Sequence, residues 1–515
     1  MIRTSQSRLW KFSAIALLAL LACVLCARLR HPWTYNDDYN GAFWSQAARN
    51  LSRAGFLATA GVPAPLYFGA PPIPAEALYV HHPTLLSAMM YLDRALLGET
   101  ESAARILPIF FSLLTAALLW LFASSSSGWR CGTLVLAFFV AAPMELHYGQ
   151  MVNFEAPELF FLLSTICAFH RWREHRTTTS AALLLICVAL AIWTDWQGYL
   201  LAALLTIQLL LEAPARNARI SAALLLTAFL SGLAFLLQIH LASPGAWQEL
   251  LHAFRERSSH ADLSGGSFSA AQWLRTEFDY ITTLFHPAAL LIAAAGALLA
   301  FLHRRTLTAR HAALLHTGTL FFILDLIYIC ALRNQSYIHD FASFYFLIPV
   351  AIFSAYLIHW LIHQSEARAP RPISIAATAA ACALAAAFIC SGIRRLDAID
   401  TQFCILDDDG TEPPTLMPDI GHLIDRTFPG AAVIICNFDK YYSPLPYYAR
   451  RVMTNDVTTY PAWREAVSDA LPTPAGGIIW PGAPGAADLI RHLPASEIHP
   501  VTIDGIPFLL WLPIG

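Results

Sequence analysis

Apolar runs cover residues 12–27, 104–123, 131–145, 155–170, 180–194, 198–211, 220–241, 287–302, 312–332, 341–362 and 373–392, with short polar connections between most of them. A helix that crosses a bilayer needs about 20 apolar residues, so this pattern predicts an all-α polytopic membrane bundle of about eleven transmembrane helices. The shorter runs imply tilt or extension by flanking aromatics. Alternate connections are basic: Arg130, then Arg171, Arg173 and Arg176, then Arg216 and Arg219, then Arg304, Arg305 and Arg310, then Arg368 and Arg371. The positive-inside tendency then puts the N-terminus in the cytoplasm and the C-terminus outside it, with segments 28–103, 146–154, 195–197, 242–286 and 333–340 on the outer face. In the first of these segments Pro63, Pro65, Pro71, Pro72 and Pro74 mark irregular structure. Residues 84–97 follow as an apolar helix too short to span, suited to the membrane surface.

From about Arg394 the pattern changes. Short β-like runs at 432–436, 477–480 and 508–512 alternate with helical segments at 461–471 and 486–493, which predicts a small α/β domain. The expected organisation is a membrane module over 1–393 and an extracytoplasmic domain over 394–515. Composition agrees: 57% hydrophobic and 13% charged residues with a mean hydropathy of +0.52 place the chain outside the soluble class. A net charge of −3 shows no basic bias that would point to a nucleic-acid surface. Eight of the ten cysteines lie in apolar runs and no spacing resembles a zinc site; Cys404 and Cys436, in the C-terminal domain, can pair if that domain is oxidised. Arg3, Arg8 and Lys11 before the first apolar run resemble a signal peptide, but the run continues past Cys23 without a small-residue cleavage site, so it is read as an uncleaved span.

Charge position matters more than net charge. Asp37 and Asp38 follow the first span directly, where one carboxylate can take a proton from an acceptor hydroxyl, or either can cap the next helix. His81 and His82 precede Pro83 and can hold a phosphate or simply start a helix. Arg105 sits at the outer end of the second span, against the positive-inside tendency, and invites an anionic partner or a salt bridge to Glu101. Glu155 and Glu158 enter the fourth span, a costly position unless they face a polar cavity, and Asp195 has the same character. Arg333, Tyr337, His339 and Asp340 precede the tenth span; Asp325 lies within the ninth. Arg255, Arg257 and Arg275 can meet a lipid phosphate or face water. Nearly all of these unusual residues fall on one side of the membrane.

Asp37-Asp38 with the helix after it, His82-Pro83-Thr84-Leu85, Arg105-Ile106-Leu107-Pro108 and Glu155-Ala156-Pro157 resemble, in order, elements of the GT-C glycosyltransferases, a class that includes protein O-mannosyltransferases and lipid A aminoarabinose transferases. Thr84 replaces a second proline, and the arginine element has one extra residue. Residues 447–452 are similar to a recurrent stretch in their C-terminal domains. The resemblance implies inverting transfer of a sugar from a polyprenyl-phosphate donor to a lipid, glycan or protein acceptor at the outer face. It implies Asp37 as the base and Asp38 and Glu155 as positioning groups. Arg105, His82, Arg333 and His339 are then candidates for the carrier phosphate, with Tyr337 beside them in the substrate site. It also implies a bacterial plasma membrane location. No cofactor is expected; an Asp-Asp pair binds a divalent ion or works without one, so metal dependence stays open. A transporter or flippase is the alternative reading, since Asp325 suits one, though no internal symmetry accompanies it. A non-enzymatic membrane scaffold is the third.

Overall fold

The computed structural model describes residues 2–512 apart from 36–37, 262–265, 400–403, 407–411, 429–432, 439–443 and 471–474. Its first helices are α1 (Ile2–Leu25), α2 (Asp38–Ala54), α3 (Leu85–Leu97), α4 (Glu101–Ser127), α5 (Trp129–Ala141), α6 (Pro143–Tyr148) and α7 (Glu155–His175). They continue with α8 (Thr178–Thr194), α9 (Gln197–Glu212), α10 (Pro214–Ala242), α11 (Ala246–Arg257), α12 (Ala270–Leu284) and α13 (Pro287–His303). Then come α14 (Ala309–Ala331), α15 (Arg333–Ile338), α16 (Leu347–Arg368), α17 (Arg371–Ile399), α18 (Leu416–Thr427), α19 (Leu445–Ala449), α20 (Tyr460–Ala470) and α21 (Ala486–His492). Two compact units form. One comprises Met1–Leu29, Val80–Leu86 and Arg105–Ile399; the other comprises Arg30–Tyr79, Ser87–Ala104 and Asp400–Gly515.

In the first unit every apolar run is helical over most of its length. Among the described residues, six helices are long and apolar enough to cross a membrane by themselves: Ser7–Leu25, Glu101–Ser127, Pro214–Ala242, Ala309–Ala331, Asp340–Arg368 and Pro372–Leu396. A seventh crossing is available if α12 and α13, bent by 100° at their junction, count as one. The chain is a multi-pass membrane protein. The bend follows from Pro287, which lacks the amide needed to continue α12 and instead takes the first position of α13. Three further apolar helices, α5, α8 and α9, are shorter.

Helices α13 and α16 approach closely because Gly296 has no side chain: a Cβ there would lie 2.0 Å from the Phe353 carbonyl oxygen. Small residues of this kind let membrane helices pack backbone to backbone. Gly296→Ala is therefore expected to destabilise the bundle by about 1–3 kcal/mol, the usual cost of overpacking. Thermal unfolding in detergent reads this directly; an unchanged melting temperature would mean that α13 retreats at no cost.

The second unit contains a five-stranded sheet of β1 (Val433–Cys436), β2 (Val452–Thr454), β3 (Ala475–Ile479), β4 (Ile498–Ile503) and β5 (Ile506–Trp511). The order is β2-β1-β3-β5-β4, parallel on both sides of β1 and antiparallel from β3 onward. Side-chain alternation feeds two cores. Ile434, Cys436, Ile478, Phe508 and Leu510 join residues of α18 and α19 on one face, while Ile435, Ile479 and Trp511 join Trp463 and Leu489 on the other. The predicted α/β character is present, and β2, β4, α18 and α19 are additions that the sequence pattern did not give. Cys436 and Cys404 are thiols rather than a disulfide. The Cys436 thiol donates to the Phe438 carbonyl and to Asn455 Oδ1, each at 3.3 Å.

Candidate functional site

The helical unit gathers its costly polar residues around the N-terminal end of α7. Segment 80–86 is tied down from several sides. Trp196, in the turn between α8 and α9, donates from Nε1 to the His81 carbonyl at 3.0 Å, and the Thr84 hydroxyl meets Gln238 Oε1 of α10 at 3.1 Å. His82 stacks on Phe154, with ring centroids 4.4 Å apart, and its Nδ1 lies 2.7 Å from Asp195 Oδ1. The ring therefore has one fixed orientation.

Beside this pair α7 opens with Glu155 and Glu158. Glu155 Oε1 accepts a weak contact from Asn153 Nδ2 at 3.4 Å; its buried Oε2, both Glu158 oxygens and the Tyr345 hydroxyl have no hydrogen-bond partner among the described residues. Glu155, Glu158 and Asp195 all lie within electrostatic reach of Tyr345, and Tyr328 is within reach of Glu155 and Asp195. Buried polar groups are normally satisfied, so such a concentration of unsatisfied oxygens marks a place built for something other than stability.

A second arm carries cationic and aromatic groups. Arg257 ends α11 and donates from Nη1 to Gln335 Oε1. Burial first, and the Arg257 charge second, hold both His81 and His339 down at about 4. The 3.2 Å contact between His81 Nε2 and Glu249 Oε1 is thus a hydrogen bond from a neutral imidazole near neutral pH. His339 stacks on Phe341, Tyr337 stacks on Phe268 with centroids 4.0 Å apart, and the Tyr148 hydroxyl donates to Asp340 Oδ1 at 2.6 Å. Arg333 is half-buried, with no partner for its Nε among the described residues. Arg105 is buried in α4 and donates to the Leu29 carbonyl at 3.5 Å.

The pH consequence has a definite sign. In an unfolded chain His81 and His339 titrate near 6.5, whereas in the fold they stay neutral down to about 4. The unfolded state binds more protons across that window, so stability is full above the unfolded value and is lost as the pH falls from 6.5 through 4. Melting in detergent at pH 7.5 and 5 is expected to show a lower transition at pH 5, with the difference reduced in His81→Gln; a flat profile would contradict it.

In the other unit Asp38 is buried, and its Oδ2 accepts the amides of Thr34 and Tyr35 at 3.1 Å each. It thereby pins the backbone entering α2. Asp37 lies outside the described residues. The same entry is anchored by Trp33, whose amide donates to the Tyr448 hydroxyl at 2.6 Å, which in turn donates to Glu101 Oε1 at 2.9 Å. Trp33 packs over Gly41, where a Cβ would fall 2.3 Å from the indole.

Of the residues singled out from sequence, His82 and Glu155 belong to one cluster, and His339 lies near Arg257. Tyr337 and Arg105 make contacts of their own. Tyr328 and Tyr345 went unmarked, because a tyrosine in or near an apolar run reads as an ordinary membrane residue. Among the described residues no group of three His, Cys, Asp or Glu side chains is placed to hold a metal ion.

The fold has solved counterparts. ArnT from Cupriavidus metallidurans, bound to undecaprenyl phosphate, matches over 97% of both chains with 12% identity and a TM-score of 0.61. The Archaeoglobus fulgidus oligosaccharyltransferase in its apo form matches over 90% of this chain and 69% of its own, with 14% identity and a TM-score of 0.53. Both are GT-C glycosyltransferases, and this chain has the GT-C fold. No family model and no curated protein sequence matches it.

Proposed function

We propose that the protein is a membrane glycosyltransferase that moves a sugar from a polyprenyl-phosphate donor to a lipid, glycan or protein acceptor outside the cytoplasm. The observation that carries the reading is the cluster at the head of α7: the half-buried Glu155 and the buried Glu158, both with unsatisfied oxygens, beside a His82–Asp195 pair. The likeness to ArnT bound to undecaprenyl phosphate supplies the donor class.

In the reaction Asp37 takes the acceptor proton as the acceptor oxygen attacks the anomeric carbon. The bond from that carbon to the phosphate oxygen breaks, the configuration inverts, and polyprenyl phosphate leaves with the bonding pair. Asp38 holds the entry to α2. Glu155 accepts hydrogen bonds from sugar or acceptor hydroxyls, which gives its buried oxygen a partner. His82, fixed by Asp195 and Phe154, and the cations Arg105, Arg257 and Arg333 serve the departing phosphate, with His339 and Tyr337 bordering it. The sugar is a hexose or pentose.

The topology belongs to the same reading. Eleven spans are α1, α4, α5, α7, α8, α9, α10, α13, α14, α16 and α17, with the N-terminus cytoplasmic and residues 394–515 outside, in a bacterial plasma membrane. The test is transfer or hydrolysis of labelled sugar by purified protein with a panel of polyprenyl-phosphate sugars. Turnover of any donor supports the reading; inertness toward all of them, with facilitated movement of lipid or solute across vesicles, would replace it with a transporter.

A further inference from the structure

The second unit encloses a cavity of about 340 Å³ at which five arginines converge: Arg49 and Arg53 from α2, Arg94 from α3, and Arg450 and Arg451 from the C-terminal domain. Among the described residues two carboxylates, Glu99 and Asp425, share its lining, which leaves three formal positive charges there in a chain whose net charge is −3. We propose that this cavity is a binding site for an oxyanion-bearing carbohydrate, phosphorylated or carboxylated, and that it recruits the acceptor; the acceptor role rests on the glycosyltransferase reading above.

Arg49 and Arg451 are buried, Arg94 is half-buried, and Arg53 and Arg450 are exposed, so the surplus cationic groups face solvent, where an anion can reach them. Here the acids are already spoken for. Glu99 receives Arg49 at 2.5 Å and also Arg94, and Asp425 receives Arg451 at 3.2 Å. Burial acts to raise Glu99, yet the charges and hydrogen bonds of Arg49 and Arg94 outweigh it and hold its carboxyl below the usual range, so it remains an anion and already counts in the balance. Arg49 and Arg451 are committed further. The Arg49 guanidinium stacks over Tyr447 at 4.2 Å, and Arg451 donates twice to the Phe428 carbonyl.

The other three keep donors in reserve. Arg94 Nε is buried with no partner among the described residues. Among the described residues Arg53 makes one hydrogen bond, to the Gly69 carbonyl at 3.1 Å. Arg450 stands 3.6 Å from Glu99 and 3.9 Å from Asp425, beyond hydrogen-bond range of both. Guanidinium forks match the geometry of phosphate and carboxylate oxygens, and the cavity has room for a monosaccharide carrying such a group. Among the described residues, no candidate span belongs to this unit apart from the first turn of α4.

The experiment is titration of the purified full chain in detergent, by calorimetry, with inorganic phosphate, glucose 1-phosphate, glucuronate and glucose. Saturable binding of the anions, not of glucose, is expected. The double variant Arg53→Gln with Arg450→Asn should weaken it at least about tenfold, since each lost charge-assisted bond is worth that much. Asn suits position 450, whose φ is 53°. Arg53→Lys, which keeps the charge, should retain most of the affinity. Preference for glucose 1-phosphate over glucuronate identifies a phosphorylated ligand, and the reverse a uronate. Absence of saturable binding, or equal binding by wild type and a double variant with the same melting temperature, would overturn the site. Anion binding by a protein that transfers no sugar would leave the site standing and remove its role as an acceptor site.

Discussion

Asp37→Asn is expected to lower sugar transfer by about 10²- to 10⁴-fold while leaving yield and melting temperature unchanged, the range that a lost general base gives. Asparagine has nearly the same volume and can still cap a helix, but it cannot take a proton. The neighbouring carboxylate provides the internal contrast. Asp38 accepts two backbone amides, so Asp38→Asn, whose carbonyl oxygen still accepts them, should keep much of the activity, whereas Asp38→Ala should unfasten the entry to α2 and lower stability. Radiolabelled transfer measured beside thermal unfolding separates the two roles. Equal activity of wild type and Asp37→Asn would reduce Asp37 to a cap and remove the proposed base.

How much of this was legible in the sequence depends on the length scale of each signal. Apolar runs announced the helices because hydropathy is summed over a whole span, and a GT-C fold was already indicated by the four short elements between Asp37 and Pro157. Helices α11 and α12 were missed because they are amphipathic surface segments in a loop read only by its side of the membrane. Strand β4 was missed because Pro500 interrupts its pattern; as an edge strand it tolerates the proline. At the site, His82, Glu155 and Asp195 stood out individually, since a polar side chain at a membrane entrance has to be accounted for. Their association did not, because 113 residues separate His82 from Asp195. The arginine cavity was equally hidden: Arg49 and Arg451 look like scattered surface charges until the fold brings them to one wall.

Glu155→Gln separates function from stability in the opposite direction. The carboxylate enters a membrane helix with its buried Oε2 unsatisfied and a like charge, Asp195, within electrostatic reach. Were Glu155 a structural element, its neutralisation would cost stability by removing a partner. The geometry points the other way: no basic group is paired with it among the ion pairs of the described residues, so an amide in place of the carboxyl group removes the cost of holding a charge there. The variant is expected to be more stable by about 1–3 kcal/mol, the penalty commonly attached to one unsatisfied buried group. It is expected at the same time to lose transfer activity, since an amide is a weaker acceptor for sugar or acceptor hydroxyls than a carboxylate. A melting temperature that rises while turnover falls is the signature of strain kept for function. A fall in both would make Glu155 part of the scaffold, and the unsatisfied oxygens at the head of α7 would then no longer mark the site.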